Sequence, residues 1–419
     1  LLPASDEVLR QLMAYPGARL RSFAHDWLVL LLIRWREGPP QGFLRQWVAA
    51  GELDRDLEFL PGDEQLRELE LAGAGLTSPE LSVLLAYSKM TLAAAVPAEV
   101  LATDPYYQPV LHRYFPKELA DRYGDRLSAH PLAAEIIRTV VVNDLVNRGG
   151  ISFMFRAAEE TAAAPLELVR GYTFARDVFA LPDLWRQVRL LDNEVATSAQ
   201  GRVYLEARRL LDRTTRWMVQ THSSSWDLTT EVARYQPVVA ELSPLLPDLL
   251  RGPERRRLQE LAQAHIDEGV PADLAEAAAL LLYQFQLLDV TRIAERTDRP
   301  AREVAEIYFT ISERWDVDGF LTRISALSRG GRWEALARQA LRSDLYSAQA
   351  SLTAQIVRST DPTDDAATRV DQWLTANESE VSRVGRTLED IGTAEGDHDL
   401  ASLSVALRAL RTLVAQSRG

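Results

Sequence analysis

The sequence predicts an all-α protein: several helices packed in at least two bundles, with little or no sheet. Apolar residues recur at spacings of three and four along most of the chain, and apolar/polar alternation of the strand type is scarce. Pro, Gly and short acidic clusters interrupt this pattern at only a few places, where helices are expected to stop and restart.

Taken in order, the first element is the apolar run Trp27–Ile33 (WLVLLLI). It is far shorter than the roughly 20 residues that span a bilayer, and no small-residue cleavage pattern follows it, so it reads as a buried helix. The segment IIRTVVVNDLVNRGG contains the β-branched run Thr139–Val142 inside a longer helical pattern, which Gly149 and Gly150 end. In Val203–Val219, Val203, Ala207, Leu210, Thr214 and Trp217 form a stripe with Tyr204, Leu211 and Met218 beside it. Glu206, Arg208, Arg209, Asp212, Arg213 and Arg216 take the remaining face, so the stripe is expected to meet a core and the charges to meet water.

Two breaks follow. Thr221–Trp226 (THSSSW) and the proline-rich Ser243–Pro253 (SPLLPDLLRGP) read as irregular connections. Helical spacing then returns in Leu341, Leu345, Ala348 and Leu352, in Val370, Trp373, Val381, Val384, Leu388 and Ile391, and in Leu400, Leu403, Leu407, Leu410 and Val414. DPTDD at Asp361–Asp365 and GTAEGD at Gly392–Asp397 separate these three helices, and connections so short imply neighbours packed up and down. The breaks divide the chain into an N-terminal helical segment and connector (1–75), a first helical subdomain (76–220), a connector (221–249) and a second helical subdomain (250–419). No fixed-period repeat is visible.

Composition narrows the function. The apolar content of 47% and charged content of 26% are those of a soluble globular protein. A formal net charge of -13 opposes a nucleic-acid surface, which needs clustered positive charge. The absence of Cys removes disulfides, thiolate catalysis and Cys-ligated metal, and fits a cytoplasmic protein with no membrane association. Lys89 and Lys117 are the only lysines, and basic character is otherwise carried by Arg.

Chemical motifs are few. No GxGxxG dinucleotide turn occurs, and Gly73-Ala74-Gly75 and Gly330-Gly331 follow no β-branched strand, so both read as turns. His222, Ser223, Ser224, Ser225 and Asp227 supply hydrolase residue types without a GxSxG elbow, and read as a capping loop. Glu395, Asp397, His398 and Asp399 lack the spacing of an EF-hand or an HExxH helix and read as a solvated turn. The Arg255-Arg256-Arg257 run, with Glu254 and Glu260 nearby, reads as a solvated helix face. The chain is therefore assigned no catalytic, cofactor-binding or metal-binding residue.

One polar cluster stands apart. Asn143 and Asn147 lie four apart on one face of an apolar helix, and Asp144 and Arg148 form a second pair at the same spacing, able to ion-pair. An amide in such a helix is costly without partners. The two readings are a buried amide pair bridging neighbouring helices and a contact with another domain.

Several blocks of the sequence resemble one family in collinear order. They are Glu52–Leu66 (ELDRDLEFLPGDEQL), Leu76–Met90 (LTSPELSVLLAYSKM), Tyr114–Arg156 (YFPKELADRYGDRLSAHPLAAEIIRTVVVNDLVNRGGISFMFR), Val203–Val219 (VYLEARRLLDRTTRWMV) and Leu288–Val357, with LDVTRIAERTDRPAREVAEIYF and RWEALARQALRSDLYSAQASLTAQIV. Together they resemble the C-terminal helical region of the large bacterial NAD-dependent glutamate dehydrogenases; residues 1–50 have no counterpart there. The resemblance implies a structural, assembly or regulatory domain of an enzyme that converts glutamate, NAD and water to 2-oxoglutarate, ammonium and NADH. It implies the catalytic domain of the same enzyme as partner and a homo-oligomer as the assembled state. The family's chemistry uses lysines in a Gly-rich substrate site, whereas Lys89 and Lys117 sit in the helical motifs YSKM and YFPKEL. On this reading the chain is a fragment, inactive alone, and NAD is a cofactor of the full enzyme only. The alternative is a free-standing helical interaction protein derived from that domain.

Overall fold

The computed structural model describes residues 47–72, 76–222, 226–327, 332–393 and 400–417. These residues form α-helices joined by short turns and two 3-10 turns, and no strand occurs among them. The run Trp27–Ile33, the glycine pairs at 73–75 and 330–331, the serines of the THSSSW loop and the acidic turn at 395–399 lie outside the described residues.

The chain divides into two compact units. One comprises residues 1–233 and 264–281, and the other residues 234–263 and 282–419. This differs from a division at the sequence breaks, because each unit draws on two separate stretches of chain.

In the longer stretch of the first unit the described helices up to residue 221 are α1 (Asp63–Leu71), α2 (Ser78–Ala95), α3 (Ala98–Thr103), α4 (Pro109–Tyr114), α5 (Lys117–Leu127), α6 (Ala133–Gly149), α7 (Phe153–Thr161), α8 (Pro165–Val178), α9 (Leu181–Leu190) and α10 (Thr197–Thr221). Local signals set their starts. The Thr77 N–H donates to Glu80 Oε2 at 2.6 Å and the Ala164 N–H to Glu167 Oε2 at 2.8 Å, so a glutamate in the first turn satisfies the backbone ahead of α2 and α8. Pro79 and Pro165 sit in those first turns, where a missing N–H costs nothing.

The core of this unit is built on α8 and α10, which lie alongside each other. Leu168, Val169, Tyr172, Phe174 and Ala175 of α8 are fully buried, as are Val203, Ala207, Leu211 and Met218 of α10. Gly171 permits the close approach: a Cβ there would stand 3.2 Å from the Thr215 carbonyl oxygen. Trp217 is only half-buried, its ring stacked on Phe174 with centroids 6.5 Å apart. The polar face of α10 departs from expectation. Arg208 and Arg216 are buried rather than solvated, and Arg216 binds Glu160 of α7 through Nε and Asp212 through Nη1 at 2.6 Å.

Later in the chain come α11 (Leu228–Leu242), α12 (Leu246–Leu249), α13 (Gly252–Asp267), α14 (Ala272–Gln284), α15 (Leu287–Thr297), α16 (Ala301–Arg314), α17 (Val317–Ala326), α18 (Arg332–Ser359), α19 (Ala366–Ala376), α20 (Glu378–Thr393) and α21 (Leu400–Gln416). The stretch 221–249, expected to be a connector, is mostly helix. α11 carries Pro237 in its interior and is kept helical by Leu228, Val232, Tyr235, Val239 and Leu242, all buried at alternating spacings of four and three. Only Ser243–Leu249 has the broken character expected of a proline-rich run, as a 3-10 turn followed by the four-residue α12.

In the second unit the core gathers Val304, Ala305, Ile307, Tyr308 and Phe309 of α16 with Leu287, Leu288 and Val290 of α15 and Leu345 and Leu352 of α18. Asp365 caps α19 by accepting from the N–H groups of Ala367 and Thr368. Leu403, Leu407, Leu410 and Val414 of α21 are buried as their spacing predicts, while Leu400 is exposed at the helix start.

Candidate functional site

The polar cluster of α6 is the sequence-derived candidate. Ile137, Val141, Val142, Leu145 and Val146 bury one side of the helix, and Asn143, Asp144, Asn147 and Arg148 are left half-buried at the margin of that apolar face. Asp144 and Arg148 reach different partners.

Asp144 turns toward α8. Its Oδ2 accepts from Tyr172 Oη at 3.1 Å and from Arg176 Nη1 at 3.0 Å. Arg176 in turn grips Asp177 with both arms, Nε to Oδ1 at 2.7 Å and Nη2 to Oδ2 at 2.8 Å. Tyr106, in the 3-10 turn Pro105–Tyr107, donates to Asp177 Oδ2 at 2.7 Å, and Tyr107 donates to Thr173 Oγ1 at 3.1 Å. Burial and the neighbouring Asp177 push the Tyr106 hydroxyl well above its ordinary range, so it stays a donor. Burial opposes the charge on Arg176, but Asp177 and Asp144 outweigh it and keep the guanidinium protonated. This network ties α6, α8 and the 3-10 turn with charge-assisted hydrogen bonds.

Arg148 lies elsewhere. Its guanidinium carbon is 4.5 Å from the centroid of buried Trp185 of α9 and 5.5 Å from that of Tyr204 of α10, a cation–π arrangement. Asn143 and Asn147 are half-buried rather than buried, and neither side chain hydrogen-bonds to a described residue. The link from α6 to α8 is made by Asp144, Tyr172 and Arg176.

The described residues of the other candidates have the following partners. His222 Nε2 is 3.3 Å from Glu231 Oε2, and its ring lies between Trp217 and Trp226 at centroid distances of 5.9 and 6.1 Å. Asp227, the residue that a hydrolase reading would pair with it, instead accepts from the Thr230 N–H at 2.7 Å as a cap of α11. Lys117 is exposed and pairs with Asp121 four residues on. In the arginine run, Arg255 donates to the Pro247 carbonyl and Arg257 to Asp318 and Thr322. Among the described residues no group of three His, Asp or Glu side chains is placed to hold a metal ion.

What sequence reasoning missed is buried charge. Around Asp212, burial opposes ionisation, but Arg216, Arg156 and Arg208 outweigh it and hold the carboxyl down to about 2. In the second unit Arg369 is 1% exposed, donating to Glu303 at 2.6 Å, to Thr360 and to the Val357 carbonyl. Its position was readable, since Ala366, Arg369, Val370 and Trp373 share one helical face and all are buried. Glu254 and Asp289 are buried as well, and burial pushes each carboxyl up to about 7.

The geometry is that of a helical scaffold bound by ion pairs, and comparison with known proteins gives its kinship. The NAD-specific glutamate dehydrogenase of Mycobacterium tuberculosis is 36% identical over 374 residues, which are 89% of this chain and 23% of that protein. Proteins of the same description from Halomonas elongata and Pseudomonas aeruginosa are 35% and 36% identical over 90% and 88% of this chain, again 23% of each relative. The chain thus spans about a quarter of the length of these relatives. The family described as "Glutamate dehydrogenase, C-terminal" matches residues 73–412, and the chain belongs to that family.

Proposed function

We propose that this chain is the C-terminal helical scaffold of a large NAD-dependent glutamate dehydrogenase, with a structural, assembly or regulatory role. The parent enzyme would convert L-glutamate, NAD and water to 2-oxoglutarate, ammonium and NADH. The observation that carries this reading is the continuous family match over residues 73–412, combined with coverage of only 23% of each relative. NAD belongs, on this proposal, to the catalytic part of the parent, because this sequence holds no Gly-rich dinucleotide turn and only two lysines, both in helical motifs. The partner is that catalytic part, within a cytoplasmic homo-oligomer. No described helix is long and apolar enough to cross a membrane.

Asn143 and Asn147 are the candidates for the contact with the catalytic part, since their half-buried amides bond to no described residue. The test is direct. The purified chain alone should form no NADH from glutamate and NAD, and should form a complex when mixed with a catalytic part lacking its own C-terminal region. Turnover by the isolated chain, or no association in sedimentation, would overturn the proposal.

A further inference from the structure

Glu254 is the least expected residue of the second unit. It sits in the first turn of α13 and is 2% exposed. Ser312 Oγ of α16 donates to its Oε1 at 2.7 Å, and Tyr283 Oη donates to its backbone carbonyl at 3.1 Å. Its other oxygen, Oε2, is buried with no hydrogen-bond partner among the described residues.

The surroundings make an ionised Glu254 costlier still. Asp318, Glu313 and Asp316, gathered where α16 ends and α17 begins, face it with like charge, and Tyr308 and Tyr283 are the other titratable groups close enough to sense it. Cations of this region are engaged with those acids. Arg257 pairs with Asp318 at 3.1 Å and Arg323 with Asp316 at 3.5 Å. An ionised carboxylate here keeps the Ser312 hydrogen bond but has one bare oxygen, three acidic neighbours and no cation of its own, and protonation removes the charge that burial and those acids oppose.

We propose that Glu254 is a proton-operated latch, holding the start of α13 against the α16–α17 junction while protonated and releasing it when ionised. Burial and the facing acids raise the carboxyl to about 7 against the favourable hydrogen bond from Ser312. In an opened α13 the side chain meets water and regains its ordinary value near 4.5. The latch is therefore fully closed below that pH and weakens as pH rises toward 7. Above 7 both states are ionised and no further change occurs. The device would couple the rigidity of this unit to pH across the neutral range, whatever larger enzyme the chain belongs to.

The experiment is hydrogen–deuterium exchange on the full 419-residue chain between pH 4.5 and 8, corrected for intrinsic exchange and read at residues 255–262. It is run with Asp289→Asn present throughout, so that the other buried carboxyl of the unit does not contribute. The opening equilibrium should rise about 40-fold from pH 5 to pH 7, somewhat less than tenfold for each unit, and then level off. Glu254→Gln should make it independent of pH. Two further variants carry opposite signs. Ser312→Ala removes a bond that favours the ionised form and should move the plateau to higher pH, while Glu313→Gln removes a facing charge and should move it lower. A flat profile for the parent chain, an unchanged slope in Glu254→Gln, or shifts of the same sign in the last two variants would overturn the proposal.

Discussion

Arg216 shows how much one side chain settles. It is buried, and it answers the carboxylates of Glu160 and Asp212 together. Arg216→Ala should therefore cost roughly 3 kcal/mol in chemical denaturation, mostly from the two acids left without their cation. The pH dependence follows from Asp212, whose carboxyl is held down to about 2. A depressed carboxyl stabilises the fold above its unfolded value of about 4, and that stabilisation is lost as pH falls from about 4 toward 2. Melts of the parent chain and Asp212→Asn across this range should converge in acid and diverge toward neutrality; parallel curves would contradict the assignment. Two other residues are smaller terms than their sequence setting suggests. Trp217 is half-buried, so Trp217→Ala should cost about 2 kcal/mol, below the full penalty for a buried ring. Asn147 bridges nothing described, and Asn147→Leu should change stability by less than about 1 kcal/mol.

At the scale of elements, the packing of α8 on α10 makes the sharpest demand. A Cβ at Gly171 would press on the Thr215 carbonyl and methyl at 3.2 and 3.3 Å. Both neighbours belong to a helix that is buried around Thr214 and Thr215 and cannot easily retreat. Gly171→Val should lower stability by about 1–3 kcal/mol, read as a drop in the thermal midpoint. Elements were legible where the apolar period was unbroken, as in Val203–Val219 and Leu341–Leu352, whose stripes are buried nearly throughout. The helix α11 was not, although Leu228, Val232, Tyr235, Val239 and Leu242 carry the period and Pro237 lies inside it, because the THSSSW loop before it and the proline-rich Ser243–Pro253 run beyond it read as breaks bounding a connector. A proline removes one hydrogen bond, and five buried apolar side chains outweigh that loss here. The buried Arg208, Arg216 and Glu254 were illegible for a different reason. Charge in sequence signals water, and only the three-dimensional position of a partner such as Glu160 or Ser312 reverses that. The α6 quartet was legible as unusual but not in its parts, since Asp144 and Arg148 find their described contacts in helices remote in sequence.

For the whole molecule, the reading is one of division of labour. Under the proposed function the chain supplies helical bulk stapled by ion pairs, and nucleotide and substrate binding are proposed to lie in the catalytic part of the parent enzyme. Family membership was legible from the collinear blocks, and the family model matches residues 73–412. The division into two units was not, since each unit combines stretches separated by a segment of the other. The most direct test of the scaffold role is made on a full-length relative such as the Pseudomonas aeruginosa NAD-specific glutamate dehydrogenase. Its C-terminal quarter is deleted, or replaced by residues 47–417 of this chain, and oligomeric state is measured by sedimentation alongside glutamate-dependent NADH formation. The account predicts that deletion disrupts assembly and lowers turnover, and that the replacement restores both. A truncated enzyme with unaltered oligomeric state, stability and kinetics would contradict it.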